Sequence, residues 1–130
     1  MSYTVGGQSR TVAIVRQPLG SGSVPGVDYT DLWWNPNESG WGMAMAQQGA
    51  NIFLAWYVYD NAGKPMWYVA SNCVVSGTGC TGPLYRTTGP PFGPTFNPNS
   101  VQVFTAGSAT IVFTDANRSE ERRVGKECRL

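Results

Sequence analysis

The sequence predicts an all-β fold: an antiparallel meander of about eight short strands forming a small barrel or sandwich. Three observations carry that prediction. Sixteen glycines and nine prolines in 130 residues gather in turn-like clusters. The runs between those clusters are filled by β-branched and aromatic residues. Connections between successive runs are short, which favours antiparallel neighbours. The length suits one domain with a single core, and no helix is predicted.

Residues 3–16 read as a hairpin, with Gly6-Gly7 as a two-residue turn signal and an alternating run after it. The stretch 18–28 (Pro-Leu-Gly-Ser-Gly-Ser-Val-Pro-Gly-Val-Asp) has no periodicity and reads as a flexible linker. The corner Asp31-Leu-Trp-Trp-Asn-Pro-Asn-Glu-Ser-Gly-Trp-Gly42 follows, with three of the five tryptophans. Asn35 and Asn37 can fold back on the backbone, Pro36 presets its φ, and Gly40 and Gly42 allow positive φ or close approach. Trp41–Gln48 is a strand with Trp41, Met43 and Met45 on one face and Gly42, Ala44 and Ala46 on the other.

Ile52–Tyr59 is apolar or aromatic throughout, as a central strand would be. Asp60-Asn-Ala-Gly-Lys64 turns the chain into a returning strand, Met66–Ser71. Leu84–Thr87 is a shorter strand after a cysteine-bounded loop. Residues 89–98 contain too much proline to pair and form an excursion. Val101–Ala106 and Ala109–Thr114 are strands separated, or bulged, at Gly107.

Charge is unevenly spread. Residues 118–130 hold five basic and three acidic groups, whereas the preceding 117 residues hold four basic (Arg10, Arg16, Lys64, Arg86) and five acidic (Asp28, Asp31, Glu38, Asp60, Asp115). The body carries no basic patch suited to phosphate backbones, which argues against nucleic acid. No run of 18 apolar residues is present, so no membrane-inserting helix is expected. Met1–Gly20 lacks the charged-then-apolar layout of a signal peptide.

The chain has no histidine, which removes the commonest general base and metal ligand together. No nucleophile elbow, phosphate loop, metal signature or cofactor motif is present. Cys73 and Cys80 bracket a short Gly-containing loop and read as a local disulfide, with free thiols as the alternative. The tail Arg-Ser-Glu-Glu-Arg-Arg-Val-Gly-Lys-Glu-Cys-Arg-Leu (118–130) resembles a translated sequencing adapter. On that reading the tail, including Cys128, is non-native; a solvated or disordered end is the alternative.

Three stretches carry a second resemblance: Leu32-Trp-Trp-Asn-Pro-Asn-Glu-Ser-Gly-Trp-Gly42, Trp56-Tyr-Val-Tyr-Asp-Asn-Ala-Gly-Lys-Pro-Met-Trp67, and Leu84-Tyr-Arg-Thr-Thr-Gly89 with Gly107-Ser-Ala-Thr-Ile-Val-Phe-Thr-Asp115. Together they resemble a repeat module of bacterial, mainly proteobacterial, exported proteins that has no established activity. The resemblance covers 29–117 and implies an extracellular, periplasmic or cell-surface location, with neighbouring repeat units of the same chain as partners. It also implies that two further strands follow 117. Residues 1–17 resemble those strands, so the expectation is a fragment that starts at the end of one unit and stops inside the next, with 1–17 able to complete the barrel.

The aromatic content points to a binding face rather than a reaction. Trp33, Glu38, Trp41, Tyr57, Tyr68 and Arg86 are the candidate ligand-binding residues, the aromatics stacking on carbohydrate or another surface polymer. Trp34, Trp56 and Trp67 are assigned to the core, and Gly40 and Gly42 to the turn. Glu38 among tryptophans could act as a general acid, but a turn glutamate more often accepts backbone N–H groups or pairs with an arginine such as Arg86. A glycosidase needs a second carboxylate, and Asp31, Asp60 and Asp115 all stand in turn contexts. The expected function is therefore noncatalytic binding, with a structural repeat or spacer and a Glu38 hydrolase as alternatives.

Overall fold

Gly6 and Gly7 both take positive φ, 58° and 75°, the backbone that a tight two-residue hairpin turn demands. They join β1 (Ser2–Val5) to β2 (Gln8–Thr11), with Val5 opposite Gln8. The computed structural model describes residues 1–24, 26–113 and, for the backbone alone, 128–129. The tail assigned to 118–130 lies outside the described residues apart from that backbone pair. So does Asp115.

The hairpin forms a two-stranded sheet of its own. It leans on the proline-rich excursion: Tyr3 meets the Phe92 ring edge-on at 5.7 Å, and the Arg10 guanidinium donates to the Gly93 carbonyl. It does not enter the larger sheet beside that sheet's last long strand.

That larger sheet is an antiparallel meander of seven strands in chain order: β3 (Asp31–Trp33), β4 (Gly42–Gln48), β5 (Asn51–Tyr59), β6 (Pro65–Ser76), β7 (Gly79–Thr88), β8 (Gln102–Phe113) and the two-residue β9 (Cys128–Arg129). The fold class is thus all-β, and of the two expected shapes it is sandwich-like, not a closed barrel. The sheet curls until the β3 side meets β8 through side chains, with no strand pairing between the two among the described residues. Tyr29, just ahead of β3, stacks on Phe113 of β8 with ring centroids 3.6 Å apart and planes within 6°. Trp33 tilts onto the same ring at 5.2 Å and donates its indole N–H to the Tyr29 carbonyl at 3.1 Å.

Alternation along each strand gives the curled sheet an inner and an outer face. Met43, Met45, Ile52, Leu54, Ala70, Cys73, Cys80, Leu84, Ala109 and Ile111 point inward and form the core with Tyr29, Trp33 and Phe113. The expected disulfide is present between Cys73 and Cys80, whose Cα atoms lie 5.3 Å apart. The cysteines are not on an open loop. β6 and β7 continue past them into a tight hairpin, with Ser76 opposite Gly79. β8 is one strand, with the pairing irregular opposite Gly107, between Leu84 and Tyr85. The excursion stays unpaired, ending in a single 3-10 turn at Pro98–Ser100.

The stretch 18–28 has no regular structure, yet its start is held. Gln48 accepts from the Leu19 backbone N–H at 2.8 Å and donates to the Gln17 carbonyl at 3.1 Å. Asn51 donates to the Leu19 carbonyl at 3.0 Å. Buried Gln47 accepts from the Tyr29 N–H at 3.0 Å and donates to the Gly49 carbonyl at 3.1 Å. Three amide side chains around the β4–β5 turn therefore lay this segment down and aim Tyr29 at Phe113.

Candidate functional site

The corner between β3 and β4 is built as its residues dictate. The Asn35 side chain accepts from the Asn37 N–H at 2.9 Å and its carbonyl accepts from the Glu38 N–H at 3.0 Å, closing a turn around Pro36. Gly40 sits at φ 127°, and Gly42 runs so close to β3 that a methyl group there would lie 3.0 Å from the Trp33 carbonyl oxygen. Gly40 thus takes the positive φ and Gly42 the close backbone approach. The corner divides its tryptophans between the two faces of the sheet.

On the inner side, Trp41 meets Trp56 edge-on at 6.4 Å and Trp56 tilts onto Tyr68 at 5.5 Å. All three are half-buried against the end of the core. The Trp41 indole donates to a Glu38 carboxylate oxygen at 3.0 Å. The Trp56 indole N–H is buried with no acceptor among the described residues. Arg86 lies on the neighbouring strand with its guanidinium 5.6 Å over the Phe104 ring. Glu38 thus takes an indole donor rather than the arginine that the sequence suggested.

On the outer side, one row of positions runs straight across the strands. Gly42 is opposite Tyr57, and Tyr57 is opposite Trp67. Trp34 stands beside Gly42, since a methyl group on that glycine would lie 3.8 Å from the Trp34 Cβ. The row reads Trp34, Gly42, Tyr57, Trp67, and its rings are open to solvent at 48%, 54% and 48% for Trp34, Tyr57 and Trp67. Three interstrand steps make it about 14 Å long. Tyr59 and Pro65 form the next pair toward the hairpin tip. There a groove of about 210 Å³ is lined by Gly40, Tyr57, Val58, Tyr59, Pro65, Met66 and Trp67.

Three assignments made from the sequence are thereby reversed. Trp33, expected at the surface, is only 4% exposed, because it pairs with Met43 and shares its inward direction. Trp34 and Trp67, expected in the core, lie on the outer row. The six residues expected to bind together do not converge: Tyr57 is on the outer row, Glu38, Trp41 and Tyr68 are in the inner cluster, Arg86 covers Phe104, and Trp33 is core. Tyr59 was not singled out, although its spacing of two from Tyr57 places both on one face.

No family model, curated protein or solved structure matches this chain.

The other carboxylates among the described residues bind nearby backbone N–H groups. Asp60 accepts from the Ala62 and Lys64 N–H groups at 2.8 and 2.9 Å. Asp31 accepts from the Leu32 N–H at 2.9 Å and Asp28 from the Thr30 N–H at 2.9 Å. Among the described residues no group of three or more acidic or cysteine side chains could hold a metal ion. The arrangement best offers flat apolar rings with polar edges, presented side by side to solvent.

Proposed function

We propose that this chain is a noncatalytic, exported β module that binds carbohydrate or another surface polymer through the outer row of Trp34, Tyr57 and Trp67. The observation that carries the reading is that row. Large aromatics that the core could have absorbed are instead held about half exposed on a rigid sheet, where an indole or phenol offers a flat apolar face and a polar edge to one ligand. Neither the Trp34 nor the Trp67 indole N–H has an acceptor among the described residues.

Export fits the disulfide, which is compatible with an oxidising compartment. No helix of the described residues is long and apolar enough to cross a membrane. A structural repeat or spacer role is the second reading, favoured by Leu32, which extends the apolar surface at the β3 edge with 78% exposure and could pack on a neighbouring unit. A Glu38 hydrolase is the weakest, because one Glu38 oxygen is committed to Trp41 and Asp31 and Asp60 are committed to backbone N–H groups.

Tryptophan fluorescence with iodide quenching against a glycan panel separates the first two. Shielding of quenchable tryptophans by one class of glycan supports binding and identifies that class. Quenching left unchanged by every glycan would favour the spacer. Release of reducing ends by the wild type but not by Glu38→Gln would revive the hydrolase.

A further inference from the structure

We infer that the ligand is an uncharged, extended glycan chain lying across the strands, with separate contacts at Trp34 and at the Tyr57–Trp67 pair; this rests on the carbohydrate reading above. The register is the first argument. Trp34 and Tyr57 flank Gly42 across the sheet, so their backbones are about 10 Å apart with no side chain on the residue between them. Tyr57 and Trp67 are direct neighbours. A short sugar is held by the two-ring pair, and only a chain of sugars can reach Trp34 as well.

The second argument is the chemistry around the row. The parallel row one step further in is Leu32, Ala44, Ala55, Val69 and Tyr85, fixed by successive cross-strand pairs. Neither row contains an acidic or basic side chain. Small Ala44 and Ala55 leave a shallow floor beside the upright rings. The nearest charges along β5 and β6 are Asp60 and Lys64 at the hairpin tip, and the Asp60 carboxylate is bound to the tip's own backbone. A polyanionic chain laid along the two rows would lose hydration with no cation on either row to pair with. A neutral chain places its apolar sugar faces on the rings and keeps its hydroxyls in water.

A protein partner is the less fitting occupant. The row's three large side chains are all indole or phenol rings about half exposed, each carrying an N–H or O–H at its edge. Those edges match hydroxyl-rich ligands better than they match an aliphatic patch.

The test is a titration series on the full chain with cello-oligosaccharides and N-acetylated chito-oligosaccharides from the disaccharide to the hexasaccharide, and with oligogalacturonates as the charged comparison. Affinity for the neutral series should rise with length and level off once the chain spans the row. Trp34→Ala should abolish that rise, leaving the hexasaccharide roughly tenfold weaker, about 1.4 kcal/mol, and bound no more tightly than the disaccharide. The Tyr57→Ala, Trp67→Ala double variant should lose the disaccharide too, with melting curves confirming that each variant is folded. Equal affinity for disaccharide and hexasaccharide would overturn the extended-chain inference, and preference for oligogalacturonates would overturn its neutrality; both would leave the carbohydrate reading standing. Failure of every glycan to bind folded wild type would remove that reading, and this inference with it.

Discussion

Tyr29 and Phe113 lie face to face, 3.6 Å apart, and join the lead-in of the first strand of the large sheet to the end of its last long strand. Trp33 adds an edge to the same ring. Among the described residues no strand pairing joins β3 to β8, and this aromatic contact links them.

Phe113→Ala is therefore expected to destabilise the fold by about 3–5 kcal/mol, the range for removing a buried phenylalanine. Phe113→Leu, which keeps most of the volume but not the stack, should cost clearly less. Denaturant unfolding followed by near-ultraviolet circular dichroism measures both. An alanine variant as stable as wild type would show that the ends are held in some other way.

Among the described residues Gln47 is the only buried polar side chain, and it holds the Tyr29 backbone with one end and Gly49 with the other. Gln47→Ala leaves a buried donor and a buried acceptor without their partner. A loss of about 1–3 kcal/mol is expected, with faster amide hydrogen exchange at Tyr29. Gln48→Ala serves as the control. Its partners, Gln17, Leu19 and Gly20, lie nearer the surface, so its effect should be smaller and confined to exchange in residues 17–21.

The disulfide closes a short span, with a sequence separation of seven. Loop-closure entropy puts its stabilisation at about 2–3 kcal/mol, and replacing both cysteines by alanine should lose about that much plus any packing deficit. Both sulfurs belong to fully or nearly fully buried residues. Dithiothreitol should therefore reduce the bond at a rate set by unfolding, rising with added urea; reduction at a urea-independent rate would mean that the bond is reached from the native state.

Much of the architecture was legible in the sequence, and the reason is turn chemistry. Gly6-Gly7, the Asn-Pro-Asn corner, Asp60–Lys64 and Gly107 each mark a turn or bulge that the structure contains, because a glycine at positive φ or an Asx side chain admits few alternatives. The faces were not legible. Ile52–Tyr59 is apolar at every position, so alternation carries no sign of which side faces the core. Register supplies that sign: Tyr57 pairs with Trp67 and Trp56 with Tyr68, so the members of each pair share a face. The sequence reading places each pair on opposite faces, as a register slipped by one residue would, and only the observed register puts them together. The amide contacts at 17–20 were hidden because a Gly/Ser-rich stretch gives no local sign of being held by distant glutamines.

The reversal at the corner gives the sharpest prediction, because it concerns two adjacent tryptophans. Trp33 is buried beneath Phe113 and Trp34 is half exposed beside Gly42. Trp33→Ala should cost about 3–5 kcal/mol, as expected for emptying a core site. Trp34→Ala should change stability by about 0.5 kcal/mol or less, as surface substitutions usually do. Fluorescence should divide the same way: the Trp34→Ala variant should lose an iodide-accessible component, whereas the emission lost with Trp33 should be blue-shifted and protected. Opposite results, a costly Trp34→Ala and a harmless Trp33→Ala, would put the outer row inside the core and leave the binding face without its first ring.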